Sequence, residues 1–356
     1  MRSLVNLIKR YGEYVFVAIF VVLSTYALGA FLTAGAANGT ILPLQASREA
    51  VEIDELFNVQ FWLIAFFFSL IVVFMLWSVI FHRRRGEDDD APGEDFEGNS
   101  TLEIVWTIIP LGIVLALAVY GGSVLSNIER RATDALEVNV IGQRWAWRFE
   151  YPESGAVSSD LVLPVDRQVL LRMRSDDVIH SFWVPEFRVK QDLLPATFGD
   201  EDNTRELRIT PTIKGDYKVR CAELCGELHY AMLADVMVVE PEEFETWAAA
   251  QAAECDLEAA DCGARWVEQY GCTACHSFDG TQVVGPTWLG LAGSQVLLDD
   301  GSSVLADEIY LETSIINPND QIHEGFQPNV MPVNFEEQLT EEQIAEIVAF
   351  IQTLGE

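Results

Sequence analysis

Three mostly apolar stretches of the chain, residues 14–32, 56–81 and 104–128, contain no charged side chain. A helix needs about 20 apolar residues, at roughly 1.5 Å each, to cross the hydrocarbon of a bilayer, and the second and third runs exceed that length. They predict a transmembrane helical hairpin, with helices at about 56–81 and 104–128, because core helices of soluble domains rarely run so far without a charge. The first run follows Lys9 and Arg10 and precedes Ala34-Gly35-Ala36, which resembles a signal-peptidase site. Residues 1–36 are therefore read as a signal peptide or an extra transmembrane helix, and either reading leaves the hairpin at 37–128 unchanged.

Beyond residue 128 the period changes. Short apolar runs at 136–141, 145–151, 169–173, 206–209, 217–220 and 235–239, separated by Gly, Pro and Asp, predict a small β-sandwich or barrel spanning 129–241. Residues 242–262 are rich in Ala and Glu and predict a helical linker. Residues 263–356 return to a helical pattern and end in an amphipathic helix that opens on Thr340, a capping residue.

Charge sets the topology and narrows the function. His82-Arg83-Arg84-Arg85 directly follows the second run, so that end faces the cytoplasm; the loop at 35–55 and everything after about residue 126 then lie on the outer face. A wholly cytosolic enzyme is excluded. The cytoplasmic loop at 86–98 is acidic and carries no chemical signature. From Glu242 onward Arg265 is the only basic residue, against 22 acids. Such a surface repels a phosphate backbone, so nucleic acid is excluded as a partner. Steering of a basic protein partner and membership of a generally acidic proteome both account for the excess.

The richest string is Cys221-Ala-Glu-Leu-Cys225-Gly-Glu-Leu-His229-Tyr-Ala-Met232, with His180 upstream at the end of a β-like run. Thiolate, imidazole and thioether are soft or borderline ligands and suit copper. Two cysteines on one loop can bridge two ions, with His229 and His180 capping one each, Met232 as a weak axial contact and a backbone carbonyl filling the remaining place. A structural disulfide or a zinc site are the alternatives, and neither uses Met232.

This string resembles subunit II of the haem-copper cytochrome c oxidases, whose outer domain is a cupredoxin-like barrel holding the dinuclear CuA centre. The resemblance covers residues from about 56 to 240 and implies His180, Cys221, Cys225, His229, Met232 and the Glu223 carbonyl as CuA ligands. It also implies that the Glu223 side chain reaches a magnesium ion shared with subunit I. The stretch from Gln143 to Tyr151 looks like the family's aromatic strip beside CuA, with Ala146 where the family usually has tyrosine. Trp145 is implied to admit electrons, whereas Trp147, two residues on along a strand, is as well explained by the core. Glu103 resembles the family's glutamate at the mouth of a proton channel; a capping box, Ser100-Thr-Leu-Glu103, explains an acid there equally well.

Cys272-Thr-Ala-Cys275-His276 is the attachment signature of c-type haem, in which two thiols form thioethers and the histidine binds iron. With Gly285-Pro286 and Asn329-Val-Met331-Pro332 downstream, residues 263–356 resemble an all-α class I cytochrome c with Met331 as the distal ligand. Cys255 and Cys262 face an oxidising compartment and are read as a disulfide that staples the linker. His323 is read as a surface residue.

The fusion of CuA and haem c resembles subunit II of caa3-type oxidases. It implies a multi-pass protein of a bacterial inner membrane with both metal domains on the periplasmic face. Electrons would pass from a cytochrome c or an upstream respiratory complex to haem c, then CuA, then subunit I, where oxygen is reduced to water with proton translocation. The other subunits of the oxidase and membrane lipid are the further partners. A CuA-bearing nitric oxide reductase subunit, or a copper-delivery or thiol-redox membrane protein, keeps the same anchors and stays open.

Overall fold

The computed structural model describes residues 2–83, 97–195 and 203–355; Arg84, Arg85 and the loop at 86–96 lie outside the described residues. The apolar runs form α1 (Arg2–Ala37), α2 (Arg48–Phe81) and α3 (Ser100–Ile128), and all three are long and apolar enough to cross a membrane. Each continues past its charge-free core, because polar residues at a helix end can finish the backbone ladder in the interface. Glu49 in the first turn of α2 sits where the helix dipole favours an acid. Most apolar side chains on α2 and α3 point outward, as a lipid solvent permits.

One compact unit comprises residues 1–45 and 49–130. Within it α1 meets α2 at Gly29, where a Cβ would stand 2.4 Å from the Trp62 ring, so only glycine fits. A Cβ on Gly121 of α3 would lie 3.9 Å from Leu56, near the start of α2, which sets the two helices antiparallel. The predicted capping box shifts by one residue. Asn99, not Ser100, is the cap: its side chain accepts from the Leu102 amide at 3.1 Å, and Glu103 accepts from the Asn99 amide at 3.3 Å. Asparagine is among the most favoured caps, and its side-chain oxygen satisfies one of the open amides of the first turn.

The second unit comprises residues 46–48 and 131–356. Its first part holds β1 (Leu136–Gln143), β2 (Ala146–Tyr151), β3 (Ala156–Ser158), β4 (Leu161–Pro164), β5 (Val169–Ser175), β6 (His180–Val184), β7 (Val189–Leu193), β8 (Arg205–Ile209), β9 (Gly215–Cys221) and β10 (Leu233–Val239). They form two five-stranded sheets, ordered β3-β2-β1-β5-β8 and β4-β10-β9-β6-β7. Alternation of buried and exposed positions, clearest in β5 and β9, turns one face of each strand to a shared core that includes Trp147, Phe149, Phe182, Val219 and Val236. This is the cupredoxin-like β domain.

Two local readings change. His180 opens β6 instead of closing a run, because Ser175, Asp176 and Asp177 before it form a turn held by side chains: the Asp177 amide donates to Ser175 Oγ and the Val178 amide to Asp177 Oδ1. Trp145 lies in the turn before β2, so it does not share a strand face with Trp147.

The linker is not one helix. α4 (Pro241–Ala252) ends, the chain runs extended, and α5 (Ala259–Gln269) begins within the predicted linker. The Arg265 guanidinium stops α4 by donating to the carbonyls of Ala250, Gln251 and Ala253, the last-turn acceptors that a cation satisfies best. The Cys255–Cys262 disulfide closes the break, with Cα atoms 5.8 Å apart. A short hairpin, β11 (Gln295–Leu297) with β12 (Ser303–Leu305), interrupts an otherwise helical domain completed by α6 (Glu308–Ile316), α7 (Phe335–Gln338) and α8 (Glu341–Thr353). The Thr340 cap is present and Gln343 completes its box. α5 lies so close on α8 that a Cβ at Gly263 would stand 1.9 Å from the Glu346 carbonyl oxygen.

Candidate metal centres

β6, the end of β9 and the loop that follows it bring the first set of donors together. Cys221 Sγ lies 3.8 Å from Cys225 Sγ and 3.9 Å from His180 Nδ1; Cys225 Sγ lies 3.6 Å from His229 Nδ1 and 3.9 Å from Met232 Sδ. The Glu223 carbonyl oxygen is 3.2 Å from Cys221 Sγ. Six groups separated by up to 52 positions thus converge, and the two thiols are free, not joined as a disulfide. Two thiolates flanked by an imidazole each, a thioether and a carbonyl form a donor set that fits a pair of copper ions.

His180 is fully buried and is oriented from behind. Its Nε2 donates to Asp177 Oδ1 at 2.8 Å, which leaves the Nδ1 lone pair facing the sulfurs. The same carboxylate accepts from the Arg144 amide at 2.8 Å and from Arg144 Nε at 3.0 Å through Oδ2. Burial works to raise the Asp177 carboxyl, but the hydrogen bonds from His180, Val178 and Arg144 outweigh it and hold the pKa near 2. Burial also raises the Cys221 thiol, and the His180 hydrogen bond turns the balance, so Cys221 is acidified; Cys225, buried beside it, is pushed up. Trp147 lies beneath the centre, edge-on to His180 at 6.3 Å and donating to the Met232 carbonyl at 3.4 Å. Trp147 belongs to the core as expected, and it also touches the His180 ring and the Met232 backbone, which spacing did not reveal.

The second centre is an apolar cavity whose lining includes Cys272, Cys275, His276, Trp288, Met331 and Ile347. His276 Nδ1 donates to the Pro286 carbonyl at 2.9 Å, so Nε2 is left with a lone pair directed to a metal, and its ring stacks on Trp288 at 4.8 Å. Burial lowers the His276 pKa, which keeps the imidazole neutral as a ligand must be, and raises the Cys272 thiol to about 12. A large apolar slot with two thiols, a neutral histidine and a methionine on its walls fits a haem. His323, read as a surface residue, is half-buried and lines this same cavity, because its bridge to Leu298 folds the segment inward.

Trp145 stands between the two centres. It is 8% exposed. A Cβ on Gly226, next to Cys225, would lie 3.1 Å from its indole, while its backbone faces the Cys275 sulfur. Glu103 belongs to the helical unit, where it caps α3, and Glu223 has an exposed side chain.

Residues 35–124 match the transmembrane domain of cytochrome C oxidase subunit II, residues 136–240 its periplasmic domain, and residues 260–355 the cytochrome c family. Cytochrome c oxidase subunit 2 of Synechocystis sp. is 33% identical over 262 residues, covering 60% of this chain and 77% of its own. The protein of that name from Thermostichus vulcanus is also 33% identical, covering 58% of this chain and 77% of its own. The one from Alkalihalophilus pseudofirmus is 29% identical over 297 residues, covering 80% of this chain and 82% of its own.

Proposed function

Because the chain belongs to the cytochrome c oxidase subunit 2 family, part of a haem-copper oxidase complex, we propose that it is the electron-admitting subunit of a caa3-type oxidase. Its two metal domains imply copper and haem. The chain takes one electron at a time from a cytochrome c or an upstream respiratory complex, through covalent haem c to dinuclear CuA and on to subunit I, where oxygen is reduced. It spans a bacterial inner membrane with residues 37–128 as a helical hairpin and with the metal domains, 129–241 and 263–356, in the periplasm.

Each residue then has a task. Cys272 and Cys275 anchor the haem by thioethers, and His276 and Met331 hold its iron; a His/Met pair suits a carrier on the way to oxygen. His180, Cys221, Cys225, His229, Met232 and the Glu223 carbonyl hold the copper pair, while the Glu223 carboxylate, free on the surface, is available to a magnesium ion shared with subunit I. Trp145 passes electrons between the domains, and Glu103 serves proton uptake. Electron transfer here moves no proton and breaks no bond, so the protein's contribution is geometry and low dielectric around fixed ligands.

The observation that carries this reading is the convergence of two free thiols, two imidazoles and a thioether at sulfur and nitrogen separations of 3.6–3.9 Å. Metal analysis with near-infrared and EPR spectroscopy on the full chain, matured in a host able to attach haem c, tests it. Two coppers sharing one delocalised electron and one covalent haem per chain are expected. One copper or none, with Cys221 and Cys225 titrating as a reversible dithiol, overturns it in favour of a copper-delivery or thiol-redox protein.

A further inference from the structure

The cytochrome domain does not hang from its linker; it is seated on the β domain through a polar seam. Arg148, in β2, is 8% exposed, and its guanidinium hydrogen-bonds Gln338 at the end of α7, with Glu150 at 3.2 Å and Asp176 at 3.9 Å completing its partners. Asn334 Nδ2 donates to Asp176 Oδ2 at 3.1 Å, and Asn334 Oδ1 accepts from Gln143 at 3.4 Å. Arg144, which holds Asp177 behind His180, reaches across with Nη2 to the Asn329 carbonyl at 3.4 Å, two residues before Met331. Val284 and Val330 of the cytochrome domain pack against the β-domain core.

We infer that these residues are an interdomain clamp, built on Arg144 and Arg148, that holds the haem domain in one register over Trp145 and closes that residue to external donors. The inference rests on the relay reading above. Three observations carry it. A buried guanidinium is costly unless paired, and Gln338, one of the groups that pair Arg148, comes from the other domain. The seam is polar and directional, so it specifies one docking register where an apolar patch would allow several. Ala146 leaves room at the contact: a Cβ on Gly271, beside the haem thiols, would lie 3.4 Å from the Ala146 Cβ, so a large side chain at 146 would fill the space the cytochrome domain occupies. Trp145 is buried beneath this contact, so an external protein reaches that residue only by way of this chain's own haem domain. Arg144 and Arg148 are positioning residues; neither touches a metal ligand.

The test is hydroxyl-radical footprinting of Trp145 in the full chain, paired with light-triggered electron transfer from haem to copper. Asn334→Asp sets a second carboxylate against Asp176, and Gln338→Ala removes the cross-domain acceptor of Arg148; neither residue is a metal ligand, and an unchanged haem Soret band and near-infrared copper band show that each variant is folded. Trp145 is expected to be protected in the unaltered chain and to react roughly tenfold faster in either variant, the factor for losing one hydrogen bond to a charged group, with slowed haem-to-copper transfer. Equal Trp145 reactivity in all three proteins overturns the clamp, whatever the transfer rate. Absence of haem-to-copper transfer in the unaltered chain overturns the relay, while a protected Trp145 there leaves the clamp standing.

Discussion

Asp177 accepts a 2.8 Å hydrogen bond from His180 Nε2, and this bond decides which imidazole nitrogen is left to face Cys221. A carboxylate in this position fixes the ring and raises the basicity of the ligand nitrogen. Asp177→Asn keeps the shape but lacks the charge. Copper affinity should fall on the order of 10–100-fold, read by competition with a chelator; unchanged retention would show that His180 is held by packing alone.

Tyr151 ties the two sheets. Its hydroxyl donates to the Val162 carbonyl at 2.9 Å and accepts from the Val162 amide at 2.8 Å. Tyr151→Phe leaves both backbone groups buried and unpaired, and should cost about 2 kcal/mol in denaturant unfolding. Burial also raises the Tyr151 pKa above its ordinary value of 10.0. The folded state therefore keeps the phenol protonated while the unfolded chain releases it, so this contribution is complete below pH 10.0 and is lost as pH rises further. Tyr151→Phe should flatten the alkaline fall in stability; an identical pH profile would refute the assignment.

The Cys255–Cys262 bridge closes a short loop, with a sequence separation of 7. Loop-closure entropy puts its contribution at about 2 kcal/mol. Cys255→Ser with Cys262→Ala should lower the unfolding free energy of the protein by that amount with the haem spectrum retained. Loss of the spectrum would instead make the bridge a condition of haem attachment.

Glu103 accepts from the amide of Asn99, the α3 cap, and under the proposed function it would serve proton uptake. In the assembled oxidase Glu103→Ala should slow turnover and proton uptake together, whereas Glu103→Asp should restore part of both. Normal turnover in Glu103→Ala would reduce the residue to its capping role.

From residue 242 onward the linker and cytochrome domain together present 22 acids against Arg265. If that field steers a basic donor, the association rate should fall as salt shortens the screening length to about 10 Å at 0.1 M. A rate that is flat across ionic strength would leave the acidity as a trait of the proteome.

Periodicity and spacing alone determined the two helices of the hairpin, the strand-rich and helix-rich segments, and both metal-binding strings, and left residues 1–36 open between a signal peptide and a further helix. The reason is covalent: Cys221 to Met232 sit within one loop, and Cys272 to His276 within one turn, so their donors are near one another in any fold that keeps the loop intact. The disulfide was legible for the same reason. Asp177 could have been suspected, three residues before His180, but an acid at that offset becomes a ligand support only once β6 starts at the histidine. Tertiary structure alone decided that His323 faces the cavity, that Trp145 sits in a turn between two centres, and that the predicted linker helix breaks where Arg265 caps it. It also decided the seam, in which Arg148 meets Gln338 and Asp176 meets Asn334 across more than 150 positions of chain. No local pattern marks such pairs, because a side chain's partner is set by where the backbone returns in space, and that is a property of the whole packed domain.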